Sequence, residues 1–155
     1  MTNLRVRVPT SVSPTQCGFS DDAVIRVDAD GRLADVAPYD GRAVAEDLRT
    51  PRRLPGFAAP HVHYPQTRVI GRASGPLLSW LEGVVFPEEA RFKLDAHAEE
   101  VAELFCDHLA RAGTTLSFVY SSVHPSACDI LFRVLEARGM RAIAGPVLMD
   151  RDCPT

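Results

Sequence analysis

The chain has 155 residues, of which 46% are hydrophobic and 24% are charged, with a net charge of −3 at pH 7. This length and balance are typical of a soluble globular protein with a real core. The weak negative charge argues against a polyanion partner, so we expect no nucleic-acid binding.

The N-terminal residues and the cysteines give the expected location. Residues 1–20 are polar and unlike a secretory signal, and no apolar run is long enough to span a membrane. The cysteines show no C-x-x-C pair or regular spacing, and we expect them to be reduced thiols. They are Cys17, Cys106, Cys128 and Cys153. We therefore expect a cytoplasmic protein without a membrane partner.

Residues 1–52 are predicted to form a small N-terminal β-structure. Residues 4–8 alternate apolar side chains with arginine, which is typical of a strand. Residues 23–27 precede the turn signal Asp28-Ala29-Asp30-Gly31, and this order predicts a β-hairpin. A second turn is expected at residues 38–41.

Residues 53–155 alternate the patterns of strands and helices. The first strand of this part, at 53–63, is expected to be a central strand, and it is followed by a long connection, 64–94, with one short apolar helix near 76–83. A longer helix is predicted to begin with Asp95 as its N-cap and to end at Gly113.

The alternation then continues with a strand, a helix and a strand. The runs at 114–120 and 140–149 are nearly continuously apolar, as in strands covered on both faces. Between them, Pro125 begins a second helix that Gly139 ends. This order predicts right-handed βαβ units and an α/β fold with a parallel sheet. A complete eight-stranded barrel needs about 250 residues, so we expect the first three strand–helix units of a (β/α)₈ barrel.

The most informative motif is the histidine pair at the end of the first predicted strand. His61 and His63 are two residues apart and project from the same side of an extended strand. Two neutral imidazoles placed in this way are natural zinc ligands, although a zinc site needs three or four. The alternative is a pair of histidines at a strand end that binds no metal.

Four segments together resemble a known family. The stretch from Pro55 to Thr67 resembles the metal-binding opening of the amidohydrolase superfamily, and more narrowly of guanine deaminases. The supporting segments are residues 77–92, which include Leu-Leu-Ser-Trp-Leu-Glu and Phe-Pro-Glu-Glu-Ala-Arg-Phe, then Gly113-Thr114-Thr115 and Ala144 to Arg151. The resemblance spans nearly the whole chain but only the N-terminal portion of the family's length.

The resemblance implies a zinc-dependent barrel that hydrolyses guanine to xanthine and ammonia. It implies that His61 and His63 are zinc ligands and that Gln66 contacts the purine substrate. The remaining metal ligands and the acid/base residues of the family would lie outside this chain, so no catalytic residue is assigned within it. We therefore expect the isolated chain to be inactive as a deaminase. A homo-oligomer is one alternative to a monomer for this chain.

Two departures from the family pattern stand within the matched region. Ala59 and Pro60 replace an aspartate and a threonine, and Ala59 is expected on the same side of the strand as the histidine pair. Pro146 replaces a lysine and is expected to remove a hydrogen bond from the third strand. There are two alternatives to a guanine deaminase. The chain could belong to an aminohydrolase that acts on another heterocycle, or it could be a non-catalytic remnant or interaction fragment.

Three further histidines are candidates for a functional role. His124 follows a strand, so it is either a functional group or a cap of the next helix. His97 and His108 lie on the helix that begins near Asp95, too far apart to share one ion, and both are expected to face solvent.

Overall fold

The computed structural model describes residues 1–151, apart from the side chain of Pro51. The chain divides into two compact units, Met1–Pro55 and Gly56–Thr155. Of the cysteines, Cys153 lies outside the described residues, whereas Cys17 is exposed and Cys106 and Cys128 are buried free thiols. No helix in residues 1–151 is long and apolar enough to cross a membrane.

The first unit is a four-stranded sheet in the order β3-β2-β1-β4. Strands β1 and β2 are antiparallel, as are β2 and β3, while β4 runs parallel to β1. The strands are β1 (Thr2–Ser13), β2 (Gln16–Val27), β3 (Leu33–Pro38) and β4 (Glu46–Arg52). A small core of Val6, Val8 and Ala23 lies on one face.

The hairpin predicted between β2 and β3 is present. The Asp28 side chain accepts hydrogen bonds from the backbone N–H groups of Asp30 and Arg32. Gly31 has φ +76°, a left-handed conformation that residues with a side chain rarely adopt. The residue types of this short segment therefore predicted the turn correctly.

The second unit contains a three-stranded parallel sheet in the order β5-β6-β7. Its strands are β5 (Phe57–His63), β6 (Thr114–Tyr120) and β7 (Arg141–Gly145). The connecting helices are α3 (Asp95–Arg111) and α4 (Pro125–Ala137). The predicted alternation of parallel strands and helices is confirmed. The prediction of a central strand at 53–63 is wrong for the described sheet, because β5 begins at Phe57 and pairs on one side only, whereas β6 is the middle strand.

One face of this sheet is covered by α3 and α4. The buried core includes Val101, Phe105, Val119 and Leu131. On the opposite face Phe118, Tyr120 and Ile143 are 39%, 44% and 60% exposed. The expectation of strands covered on both faces is thus wrong for the described residues, because apolar side chains alternate between a covered and an open face.

The connection between β5 and α3 is more helical than predicted. A 3₁₀ helix, Tyr64–Val69, directly follows β5. The rest consists of α1 (Leu77–Trp80), a π-helical turn (Leu81–Val85), α2 (Phe86–Glu89) and a second 3₁₀ helix (Ala90–Lys93). The prediction of a single short helix near residues 76–83 missed most of these turns.

The predicted ends of α3 and α4 are confirmed, whereas the predicted N-cap of α3 is wrong. Asp95 is the first residue of α3 and not its cap, since Leu94 holds the extended N-cap conformation. Gly113 and Gly139 follow α3 and α4 with φ of +70° and +63°, as expected for glycines that end helices. Pro146 comes directly after β7, so the expected loss of a hydrogen bond inside that strand is wrong.

Candidate metal and substrate site

His61 and His63 lie together at the carboxyl end of β5. Their Nε2 atoms are 3.2 Å apart and their ring centroids 5.2 Å apart. His61 is exposed and His63 is half-buried. Burial, and secondly the nearby His61, lower the pKa of His63 below its usual value. Both effects favour the neutral imidazole, which is the form that binds a metal ion.

The separation of the two nitrogen atoms fits a shared ion. Two ligands at about 2.0–2.1 Å from a tetrahedral zinc lie about 3.3 Å from each other. The 3.2 Å between the two Nε2 atoms is a hydrogen-bonding distance and also matches the spacing of two ligands on one zinc. Within residues 1–151, no group of three or more His, Cys, Asp or Glu side chains could hold a metal. The pair is therefore a candidate for two of the three or four ligands that a zinc site uses.

The strand that carries the pair contains an irregularity that the sequence did not reveal. Ala59 pairs with Ser117 and Val62 with Val119, so β5 has one more residue than β6 over this stretch. The extra residue reverses which residues share a face. Ala59 is in register with buried Ser117, whereas His63 is in register with Tyr120 on the open face.

The expectation that Ala59 shares the side of the histidine pair is therefore wrong. That expectation assumed that the side chains of β5 alternate strictly between the two faces of the sheet. The irregularity near Pro60 interrupts this alternation. Pro60 lines a groove on the open face together with Phe118, Tyr120 and Ile143. Its missing N–H suits a position where strand pairing is interrupted. The substitution at residue 59 thus does not remove a polar group from the face of the pair.

Tyr120 of β6 packs against both imidazoles. Its ring centroid is 4.8 Å from that of His63, with an angle of 18° between the ring planes. The centroid of His61 is 4.9 Å away, and that ring is tilted by 45°. The three rings therefore form one aromatic cluster at the end of two neighbouring strands.

Gln66 lies on the 3₁₀ helix that follows the histidine pair, and a buried anchor fixes this helix. The Tyr64 hydroxyl donates a hydrogen bond to the Ala127 carbonyl oxygen at 3.1 Å. The Thr67 hydroxyl donates to the Tyr64 carbonyl oxygen at 2.6 Å. Burial raises the pKa of Tyr64, so its phenol stays protonated and remains a donor.

The side chain of Gln66 is oriented by a buried carboxylate. Its Nε2 donates to Oε1 of Glu89 on α2 at 3.2 Å. Burial raises the pKa of Glu89, and the hydrogen bond from Gln66 acts in the opposite direction. The sequence marked Gln66 but gave no reason to single out Glu89, because a glutamate in a helical stretch is most often solvated.

A second buried carboxylate fixes α2 to α3. Glu88 accepts hydrogen bonds from Nε2 of His97 at 3.0 Å and from Arg91 at 2.8 Å. His97 is only 7% exposed and packs edge-on against Phe92. The prediction that His97 faces solvent is wrong, while the same prediction for His108 is confirmed. The polar residues around His97 in the sequence concealed its buried partner on a different element.

His124 is the N-cap of α4 but does not act through its side chain. No side-chain capping hydrogen bond is present, and its backbone N–H donates to the Ser122 hydroxyl at 3.2 Å. Its Nε2 is buried and has no hydrogen-bond partner within residues 1–151. The capping alternative is therefore wrong for the imidazole.

Comparison with known protein sequences identifies relatives whose names are those of deaminases. The chain is 41% identical over 108 residues to the guanine deaminase of Escherichia coli K12, covering 70% of this chain and 25% of that protein. It is 44% identical over 119 residues to the probable guanine deaminase of Deinococcus radiodurans, covering 77% of this chain and 27% of that protein. A 5-methylthioadenosine/S-adenosylhomocysteine deaminase of Syntrophobacter fumaroxidans is 33% identical over 134 residues, covering 80% of this chain and 29% of that protein. The chain thus spans about a quarter of the length of the curated relatives it matches, and no family model matches it.

Solved structures give the same result at the level of the fold. The guanine deaminase of Bradyrhizobium japonicum superposes with a TM-score of 0.86 at 31% identity, over 99% of this chain and 36% of that one. The guanine deaminase of C. acetobutylicum, solved with bound guanine in its active site, gives 0.85 at 25% identity over 99% of this chain and 38% of that one. The predicted resemblance to guanine deaminases is confirmed, and the mixed α/β structure is that of part of an amidohydrolase fold.

Proposed function

We propose that this chain is the N-terminal portion of a cytoplasmic, zinc-dependent amidohydrolase that deaminates guanine to xanthine and ammonia. In this proposal residues 53–155 begin a (β/α)₈ barrel, with β5, β6 and β7 as its first three strands, and residues 1–52 are a separate β-structure. The similarity to guanine deaminases supports the substrate and the reaction. The observation that carries the proposal is the 3.2 Å distance between the Nε2 atoms of His61 and His63.

The histidine pair is proposed to hold the metal ion. His61 and His63 are at the carboxyl end of a parallel strand, which is the end where barrel enzymes place their active sites. Each imidazole would bind through Nε2, the atom that faces the other ring. A bound zinc would act as a Lewis acid and lower the pKa of water near the substrate.

Gln66 is proposed to bind the heterocycle. Because its Nε2 already donates to Glu89, the amide has its oxygen and one further N–H available for a ligand. A purine such as guanine offers ring N–H donors and ring nitrogen acceptors that match these two groups. The buried anchor at Tyr64 would keep the amide at a fixed position after the histidine pair.

The isolated chain is proposed to lack deaminase activity. Its described residues supply two imidazole ligands, and the resemblance assigns the other ligands and the acid/base groups to parts of the family beyond this chain. General acid/base groups contribute about 10²–10⁴-fold to such reactions, so their absence lowers turnover by about that factor, in addition to the effect of an incomplete set of metal ligands.

A second candidate is the deamination of a different amino-heterocycle. It is favoured by the 33% identity to a 5-methylthioadenosine/S-adenosylhomocysteine deaminase over 80% of this chain. A chimera completed with the remaining length of the E. coli guanine deaminase would be assayed with guanine, adenosine and other amino-heterocycles. Turnover of guanine alone supports the first candidate, and turnover of an adenosine derivative without guanine supports the second.

The zinc content of the purified 155-residue chain is the direct test of the metal site. Because the chain supplies only two of the three or four ligands, we expect weak zinc binding by the wild type and a further loss of at least tenfold in affinity in the His61→Ala and His63→Ala variants. His108→Ala is the matched control, since His108 is exposed on α3. Equal zinc binding by the wild type and both site variants would overturn the assignment of the pair as ligands.

A further inference from the structure

The two imidazoles lack the hydrogen bonds that usually orient metal-binding histidines. A ligand histidine commonly donates its second ring N–H to a carboxylate or a carbonyl oxygen, which fixes the ring. Within residues 1–151, the contact between the two Nε2 atoms is the only hydrogen-bonding contact that either ring makes. This contact holds the rings to each other, and the rings also pack against a side chain of the neighbouring strand.

Tyr120 is the group in contact with both rings. It is the register partner of His63 across the β5–β6 pairing, and the two rings are stacked at 4.8 Å. The same tyrosine ring meets His61 at 4.9 Å in a tilted arrangement. Aromatic pairs at centroid distances of about 4.5–7 Å attract each other in offset or tilted arrangements of this kind.

The irregularity in β5 sets the face on which the pair lies. It falls between Ala59 and Val62, so that Val62 pairs with buried Val119 and His63 pairs with Tyr120 on the open face. Both imidazoles contact the Tyr120 ring, and their Nε2 atoms are 3.2 Å apart. The two rings thus meet an aromatic ring of the neighbouring strand at the place where their nitrogen atoms converge.

We propose that Tyr120 is the positioning residue of the metal-binding histidine pair, and that its ring face, not its hydroxyl, performs this role. The inference rests on the proposed function insofar as the ion is zinc. The Tyr120 ring restricts the rotamers of both imidazoles before the ion arrives, so less side-chain freedom is lost on binding.

The test measures zinc affinity of the full 155-residue chain by competition with a chromophoric chelator. Tyr120→Phe keeps the ring face and is expected to bind zinc within about twofold of the wild type. Tyr120→Leu removes it and is expected to weaken binding by about tenfold or more, in the range seen when groups around metal ligands are altered. Phe118→Leu is the matched control, because Phe118 is also an exposed aromatic on the open face of β6. Thermal unfolding of each variant followed by CD verifies that the fold is kept.

The ring packing itself is measured without metal. In the wild-type chain the imidazole C–H protons of His63 are expected upfield of their usual NMR shifts because of the stacked tyrosine ring. In the Tyr120→Leu variant these protons are expected to return toward the usual shifts. Unshifted protons in the wild type would overturn the proposal.

The outcomes separate the two claims. Zinc bound equally by the wild type and the Tyr120→Leu variant would reject the role of Tyr120 and leave the zinc site intact. A wild-type chain that binds no zinc, with its rings stacked, would reject metal binding by the isolated pair, and the NMR shifts alone would then decide whether Tyr120 orients the two rings. An equal loss in the Tyr120→Phe and Tyr120→Leu variants would assign the role to the hydroxyl and so contradict the proposal.

Discussion

The amide of Gln66 donates to the buried carboxylate of Glu89 at 3.2 Å, across 23 positions in the sequence. Because one N–H of the amide is used in this contact, the amide oxygen and the second N–H remain available. The contact also links the proposed substrate residue, on the 3₁₀ helix after β5, to α2. Two consecutive glutamates on α2 therefore have separate partners, since Glu88 binds His97 and Glu89 binds Gln66.

The raised pKa of Glu89 predicts a pH dependence of stability. Because burial raises its pKa in the folded chain above the ordinary value of 4.5, the folded state holds this proton more tightly than the unfolded state. The stabilisation from the protonated form is fully present below 4.5 and is lost as the pH rises through the folded-state pKa. Glu89→Gln removes this titration, so the stability of the variant relative to wild type should increase from pH 4 to pH 7.

Urea unfolding at several pH values measures this effect. Glu99→Gln, at an exposed position on α3, is the control and should leave the pH profile unchanged. A stability difference between the Glu89→Gln variant and wild type that is constant with pH would contradict the raised pKa.

The buried pair of Glu88 and His97 predicts a large cost for losing the imidazole. His97→Ala removes a donor to Glu88 at 3.0 Å and the packing against Phe92 at 5.0 Å. We expect the free energy of unfolding to fall by about 2–4 kcal/mol, since a buried acceptor is left with fewer partners and a cavity forms. His108→Ala, on the exposed face of the same helix, should change it by less than about 0.5 kcal/mol. Similar values for the two variants would show that the Glu88 contact does not stabilise the chain.

The close approach of Gly56 to β6 predicts that no side chain is tolerated there. A Cβ atom at residue 56 would lie 2.2 Å from the side chain of Thr115, far inside van der Waals contact. Gly56→Ala should therefore lower the free energy of unfolding by about 1–3 kcal/mol, as overpacking typically does. Gly83→Ala is the matched control because nothing lies within 4 Å of its Cβ position. A combined Gly56→Ala and Thr115→Gly variant should recover stability relative to Gly56→Ala with Thr115 retained, and failure to do so would contradict the steric explanation.

The hydroxyl of Tyr64 predicts a moderate cost for its removal. Tyr64→Phe deletes the buried donor to the Ala127 carbonyl oxygen and leaves the ring packing against Phe92 in place. We expect a loss of about 1–2 kcal/mol of unfolding free energy, measured by urea denaturation. Tyr120→Phe, with its ring half-exposed on the open sheet face, should be nearly neutral in the same experiment.

Several features of the fold were predictable because local patterns determine them. The strand at Thr114–Tyr120 and the helix from Pro125 were predicted within a residue or two. Glycines with positive φ end the two long helices, and an Asp/Gly turn joins β2 to β3. Each of these sequence patterns spans only a few residues, so no contact with a distant residue is needed to predict the structure that it forms.

The errors concern properties that distant residues decide. The prediction missed most of the turns between β5 and α3 because buried contacts to other elements hold them, such as that of Glu88 with His97 of α3, and not a strong local helical pattern. His97 looked solvated because acidic residues lie two and three positions away in the sequence, yet its partner is on α2. Ala59 was assigned to the wrong face because pairing with β6 introduces an extra residue that the alternation of β5 does not show.

Residue types and spacing were enough to identify the candidate pair, His61 and His63, its place at the end of a strand, and the resemblance to guanine deaminases. These are local properties of the chain. Three further facts came from the folded chain: the two Nε2 atoms are 3.2 Å apart, Tyr120 packs against both rings, and Glu89 orients Gln66. The contacts of Tyr120 and Glu89 join side chains from separate strands and helices, so they exist only after the chain has packed.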